Sequence, residues 1–283
     1  MKKLERIKKL LEANYNLKIK KHDYFPKNKD ELTRLILSLT NKYGDDVDLN
    51  IIDVSNIVNF NYVFSRTPSF NGNVSEWNVS NGKTFIQTFG KCGEFKGDIS
   101  KWDVSNGELF IEMFIRCIKF NSDLSEWDVS NGELFSEMFS SCNIFNSDLS
   151  KWDVSNGSVD YMFKACYNFN SDLSNWDLSN KTTLRGMFYK CERFNSDLSN
   201  WDVSNVIYFK STFYGCKNFN SDLSGWDVSK GEEFDYMFYN CKSFNIDLSG
   251  WDVSSAKRWY GFAERSLLER YPEKIPAKFR KDE

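Results

Sequence analysis

Residues 120–145 read FNSDLSEWDVSNGELFSEMFSSCNIF, and the stretch has two halves with different apolar periods. Between Leu124 and Val129, Trp127 and Val129 lie two apart and share one face of an extended segment, while Glu126 and Asp128 share the other. This alternation predicts a short β-strand. In the second half the apolar residues fall three and four apart, as in Phe110, Met113, Phe114 and Cys117 of one copy or Phe209, Phe213 and Cys216 of another. That spacing predicts a helix of about two to three turns. Ser130-Asn-Gly-Glu133, like Ser105-Asn-Gly-Glu108 and Ser229-Lys-Gly-Glu232, has the form of a capping box at a helix start.

The pattern recurs along the chain. Trp stands at Trp77, Trp102, Trp127, Trp152, Trp176, Trp201, Trp226 and Trp251, in steps of 25 with a single step of 24. All seven Cys and two series of Phe keep the same step. A fixed period of this length marks a repeat array rather than ordinary globular domains. The short unit, Trp152 to Trp176, drops one residue in the turn before Tyr161-Met162-Phe163. A deletion there is expected to leave the apolar faces in register, since inside a strand it would flip them.

Neither half can bury its apolar face alone, but stacked copies can. The expected fold is therefore a right-handed α/β solenoid of about nine strand-helix units, with strands on the concave side and helices outside. The array is expected over residues 47–262. Its first copy is degenerate, with Ile52 and Thr67 at the Trp and Cys positions, and its last keeps Trp251 but loses the Cys. Residues 1–46 read as a helical N-terminal cap. Leu4, Ile7, Leu10 and Leu11 form one amphipathic stripe, and Leu32, Leu35, Ile36 and Leu39 form a second between Asn28 and Gly44. Residues 263–283 read as a short closing helix and a charged tail.

Charge and composition narrow the function. The 283 residues carry a net charge of −3. No apolar run is long enough to span a bilayer, and the charged opening has no secretory core, so the chain reads as cytoplasmic and not membrane-inserted. Residues 31–256 hold 19 Lys/Arg against 31 Asp/Glu, which argues against nucleic acid as a partner of the array. One Cys per unit, with no Cys-x-x-Cys, reads as core filling rather than as metal or disulfide chemistry. Two Asp columns, through Asp98, Asp123 and Asp148 and through Asp103, Asp128 and Asp153, leave two readings open: calcium between turns, or Asx turns with the following Ser. His22, the sole histidine, lies outside the array, and no nucleophile elbow or phosphate-binding loop occurs. The expectation is a protein with no catalytic site, metal or cofactor.

Positions that vary between copies carry the remaining information. The residue before Trp runs Glu76, Lys101, Glu126, Lys151, Asn175, Asn200, Gly225, Gly250. Its first four members predict a ladder of opposite charges, and its last four leave a less bulky C-terminal half. The candidate partner-binding residues are Glu126, Lys151, Asn175, Asn200, Asp177, Asp202, Asp227, Tyr208 and Tyr236. They define a concave sheet face for a protein partner of a monomeric scaffold.

Phe145-Asn-Ser-Asp-Leu-Ser-Lys-Trp-Asp-Val-Ser-Asn156, followed by Met162-Phe-Lys-Ala-Cys166, resembles the repeat of the BspA-like, DUF285 family of bacterial surface proteins, also described as a mycoplasma lipoprotein repeat. The resemblance covers about residues 48–262. It implies a leucine-rich-repeat-like solenoid that works in adhesion or protein interaction at the cell surface, with no catalytic residues to carry over. A second reading is an intracellular regulatory or inhibitory module whose acidic face blocks a basic partner.

Overall fold

Ring stacks run from copy to copy along the repeat. Phe89, Phe114, Phe139, Phe163, Phe188, Phe213 and Phe238 follow one another with centroids 5.5–5.9 Å apart. Within a copy the second Phe series lies closer, as in Phe114 and Phe120 at 4.1 Å. Tryptophans of neighbouring copies also stack, as Trp77 on Trp102, Trp127 on Trp152 at 6.3 Å, and Trp226 on Trp201 and Trp251. These rings and the seven cysteines are buried in one continuous core. The computed structural model describes residues 22–280. The expected first helix, through Leu4 and Leu11, lies outside them.

The coil that carries these rings is built from turns, and this overturns the expected α/β solenoid and its leucine-rich-repeat-like unit. Among the described residues there is one α-helix, α1 (Lys29–Tyr43), three single-turn 3₁₀ helices and no strand. In the segment read as a helix, the N–H groups of Met113, Ile115 and Cys117 donate to the carbonyls of Phe110, Glu112 and Phe114 at 2.9–3.1 Å, which are i+3 turns. Between them, the N–H groups of Phe110, Glu112, Phe114 and Arg116 donate to Leu134, Ser136, Met138 and Ser140 of the next copy at 2.7–3.0 Å. Glu112 (φ 54°) and Arg116 (φ 60°) are left-handed, and an α-helix cannot pass through such residues. The same pair recurs four apart at Glu137 and Ser141, Tyr161 and Ala165, and Tyr236 and Asn240.

The segment read as a strand is also turned. Trp127 N–H donates to Leu124 O at 3.1 Å, and Gly132 N–H to Val129 O at 2.8 Å. The side-chain alternation survives, with Trp127 and Val129 buried and Glu126 and Asp128 exposed, but there is no sheet face. Parallel pairing is confined to isolated bridges. One run links Asn59, Thr84, Leu109, Leu134 and Ser158, and a second links Thr183, Tyr208, Glu233 and Arg258. The capping boxes are absent as well. Ser130 N–H and Oγ both bond Asp128 Oδ1, at 3.0 and 2.7 Å, and Glu133 N–H donates to Glu108 O.

The motif's polar residues pair within and between copies. The Asn of Phe-Asn forms a ladder, with Asn121 Oδ1 accepting Asn146 N–H at 2.8 Å and Asn146 Oδ1 accepting Asn170 N–H at 2.7 Å. Ser147 Oγ accepts Leu124 N–H of the copy before it at 2.8 Å. Trp152 Nε1 donates to Leu124 O and Cys142 Sγ to Phe114 O, each 28 residues back. Asn131 Nδ2 donates to Ser105 O at 2.7 Å.

Both ends of the described stack are covered. Helix α1 starts where Asn28 Oδ1 accepts Glu31 N–H at 3.0 Å and ends at Gly44 (φ 93°), whose N–H bonds Thr40 O. It buries Leu32, Ile36 and Leu39. The expected closing helix is instead three 3₁₀ turns, Leu268–Arg270, Pro272–Lys274 and Ala277–Phe279. Their lysines imitate a further copy. Lys274 Nζ reaches Asn245 O and Oδ1 at 3.1 Å, and Lys278 Nζ reaches Val253 O, Ser254 O and Ala256 O at 2.8–3.3 Å.

Candidate functional site

The core columns barely change from copy to copy, but the bridge column and its neighbours change character after residue 158. Leu109 and Leu134 give way to Thr183, Tyr208, Glu233 and Arg258. Charged groups spanning several copies follow. Arg185 Nη2 and Nε approach Glu233 Oε2 at 2.8 and 3.2 Å across two coils, and the guanidinium lies 4.0 Å over the ring of the intervening Tyr208. Arg258 reaches Glu233 Oε1 at 3.2 Å and Asp235 Oδ2 at 2.6 Å. Asp235 Oδ1 also accepts Tyr260 N–H at 2.8 Å. Both carboxylates are buried while Arg258 is exposed. Upstream, Thr183 Oγ1 donates to Asp160 Oδ1 at 2.7 Å, and burial raises the Asp160 carboxyl.

Tyrosines gather beside this network. Tyr189, Tyr214 and Tyr239 stack at 4.4 and 4.8 Å. Tyr236 meets Tyr239 and Tyr260 edge-on at 5.8 and 5.3 Å. Lys190 lies over Tyr189 and Arg265 over Tyr239, both at 5.5 Å. These rings are half-buried except Tyr260, which is 69% exposed. With the buried carboxylates held by arginines, the face presents aromatic edges and guanidinium groups to solvent, a composition suited to binding.

The structure separates the residues expected from sequence into two groups. Tyr208 and Tyr236 belong to the aromatic face. Glu126 and Lys151 form an exposed ion pair at 2.6 Å, the one such pair along the predicted charge ladder, and Asn175 and Asn200 continue that column on the surface. Asp177, Asp202 and Asp227 accept the N–H of Ser179, Ser204 and Ser229 at 2.9–3.0 Å. The second Asp column does the same, as Asp123 does for Ser125. Both columns therefore form Asx turns. Among the described residues no group of three or more His, Cys, Asp or Glu is placed to hold a metal ion. Burial pushes the Cys92 thiol up to about 12 and raises the other column thiols as well.

Arg185, Glu233, Asp235 and Arg258 were not expected. Their signal was the appearance of charge in columns that hold Leu109 and Leu134, or Ile86 and Ile111, in earlier copies. Lys181 was also missed. It stands where Gly82, Gly107, Gly132 and Gly157 do and is buried, with Nζ on Val154 O and Ser155 O at 2.6 and 2.5 Å. In its copy, Leu184 replaces the ring of Phe135 that a side chain at Gly132 would strike, which leaves room for the lysine stem.

No helix among the described residues is long and apolar enough to cross a membrane. No curated protein and no solved structure matches the chain. A family model described as "Mycoplasma protein of unknown function, DUF285" matches residues 39–131, 88–191 and 158–267 in overlapping registers. The chain, with its copies stacked ring on ring between residues 39 and 267, belongs to the DUF285 repeat family.

Proposed function

We propose that the protein is a non-enzymatic interaction scaffold that binds a protein partner through its tyrosine- and arginine-rich face, between Asp160 and Arg265. The observation that carries this reading is the contrast between an almost invariant core and a face whose columns turn aromatic and charged over the last four coils. Half-exposed Tyr and Arg, held rigid by stacking and buried carboxylates, bring large contact area at little entropic cost. The turn-locked aspartates and the exposed Glu126–Lys151 pair serve the coil itself.

A photo-crosslinking amino acid at Tyr208 or Tyr260, compared with one at Glu126, tests the assignment in cells of the native source. The expected result is the same protein adduct from both tyrosine positions and none from position 126, with loss of the adduct on Arg258→Ala. Adducts from position 126 alone, or from neither tyrosine position, would overturn it.

A further inference from the structure

The run of bridges through residues 84, 109, 134 and 158 stops at Ser158 and restarts at Thr183; Ser158–Thr183 is the one rung missing from the column. The cause is the deleted residue of the short copy. Elsewhere the residue before the bridge position offers one carbonyl to two N–H groups of the next coil. Glu108 O accepts Glu133 and Leu134, Thr182 O accepts Ile207 and Tyr208, and Ile207 O accepts Glu232 and Glu233, at 2.8–3.4 Å. Between Gly157 and Ser158 that residue is absent. The N–H groups of Thr182 and Thr183 therefore donate to no acceptor among the described residues. The rung equivalent to Phe135 N–H to Ser158 O, from Val159 N–H to Thr183 O, is also unmade.

Two side chains hold the gap in this form. Lys181 occupies the carbonyl of Ser155, which elsewhere takes the next coil's Asn, so the Asn180 amide makes no hydrogen bond among the described residues. Asn156 is stretched to 3.4 Å from Ser130 O, where Asn106, Asn131 and Asn205 sit at 2.7–2.8 Å. Gly157, Ser158, Asn180, Lys181, Thr182 and Thr183 line a cleft of about 400 Å³ with exposed Thr182 at its mouth.

We infer that this cleft receives the backbone of an extended segment of the partner protein. One of the segment's carbonyls takes the Thr182 and Thr183 N–H groups in place of the deleted residue, and a neighbouring N–H donates to Thr183 O. The complement of a broken bridge is extended polypeptide, as in β-augmentation. A neutral carbonyl fits better than an anion because Asp153 and Asp177 act on Lys181, whose Nζ is held on carbonyls, and Asp160 bonds Thr183. Through Thr183 and Asp160 the cleft adjoins the Arg185–Tyr208 network, so the inference rests on the scaffold reading and gives the partner's chemistry at one point of it.

The test is an NMR titration of the ¹⁵N-labelled chain with N-acetylglycine N′-methylamide, with sodium acetate as the comparator. The expected result is saturable movement of the Thr182, Thr183 and Val159 amide signals with the diamide. Exchange of the Thr182 and Thr183 amides should slow about threefold at twice the dissociation constant. A variant with Glu inserted after Gly157, which restores the 25-residue length, should lose the response. The exchange readout on the unaltered chain stands alone if that variant does not fold. Absence of saturable movement, or stronger movement with acetate than with the diamide, would overturn the inference. Neither outcome touches the crosslinking result at Tyr208 and Tyr260, so the two proposals fail separately.

Discussion

At the residue scale the repeat motif is a set of hydrogen-bond assignments around a stacked aromatic core. Asp128 shows the logic. The Ser130 hydroxyl and N–H hold its carboxyl below the ordinary carboxylate range, and Ser150 does the same for Asp148. A carboxylate whose pKa is lower folded than unfolded stabilises fully above its unfolded value, about 3.9, and that contribution is lost as pH falls through the folded value. Thermal stability should therefore hold from neutral pH down to about 5 and drop below about 4. Asn at these positions should keep the turn, since Asn78 Oδ1 already accepts Ser80 N–H and Oγ. A chain with Asp128, Asp177, Asp202 and Asp227 all changed to Asn should show a shallower acid drop by calorimetry, and an unchanged slope would refute the assignment. Trp152→Phe removes one of the two donors to Leu124 O and leaves Trp127 N–H as the other, and a loss of about 0.5–1.5 kcal/mol in denaturant unfolding is expected.

At the element scale much of the unit was legible in the sequence and its backbone was not. The Trp, Cys and Phe clocks located the core, and the alternation of Glu126, Trp127, Asp128 and Val129 gave the correct inside and outside. Spacings of three and four fit a helix, but they fit successive i+3 turns equally well. Nothing in the identity of Glu112 or Arg116 announces a positive φ. Ala165 (φ 57°) separates the two backbones by sign, and Gly215 (φ 71°) already fills the same place two copies later. Ala165→Gly should stabilise by about 0.5–1 kcal/mol in the turn-built coil, whereas in a helix it would destabilise by a similar amount. Of the candidate face, Tyr208 and Tyr236 could be read from their position late in the array. The pairing of Arg185 with Glu233 could not, because residues 48 apart become neighbours only when two coils are stacked over Tyr208. The one-residue deletion was visible too, but as a harmless loop change; its effect is the loss of a shared carbonyl.

At the scale of the whole molecule, a stack of near-identical coils must be stopped at its ends or it will accept another coil. The C-terminal turns do this here. Phe279 packs on Trp259 with centroids 5.3 Å apart and on Phe262 at 5.0 Å, and Lys274 and Lys278 satisfy the last carbonyls. A chain ending at Tyr271 should expose that end and self-associate in sedimentation velocity, while the full chain does not. A sedimentation profile unchanged by the truncation would remove the capping role.

The claim on which the fold and the cleft both depend is that coil-to-coil rungs hold the stack and that one of them is open. Amide hydrogen exchange along a single column measures it directly. Phe110, Phe135, Leu184, Phe209 and Phe234 each donate to the next coil at 2.7–2.9 Å, and Val159 at the equivalent place does not. The account predicts slow exchange at those five amides and fast exchange at Val159, although its side chain is equally buried. Protection at Val159 matching that of Phe135 and Leu184 would contradict it.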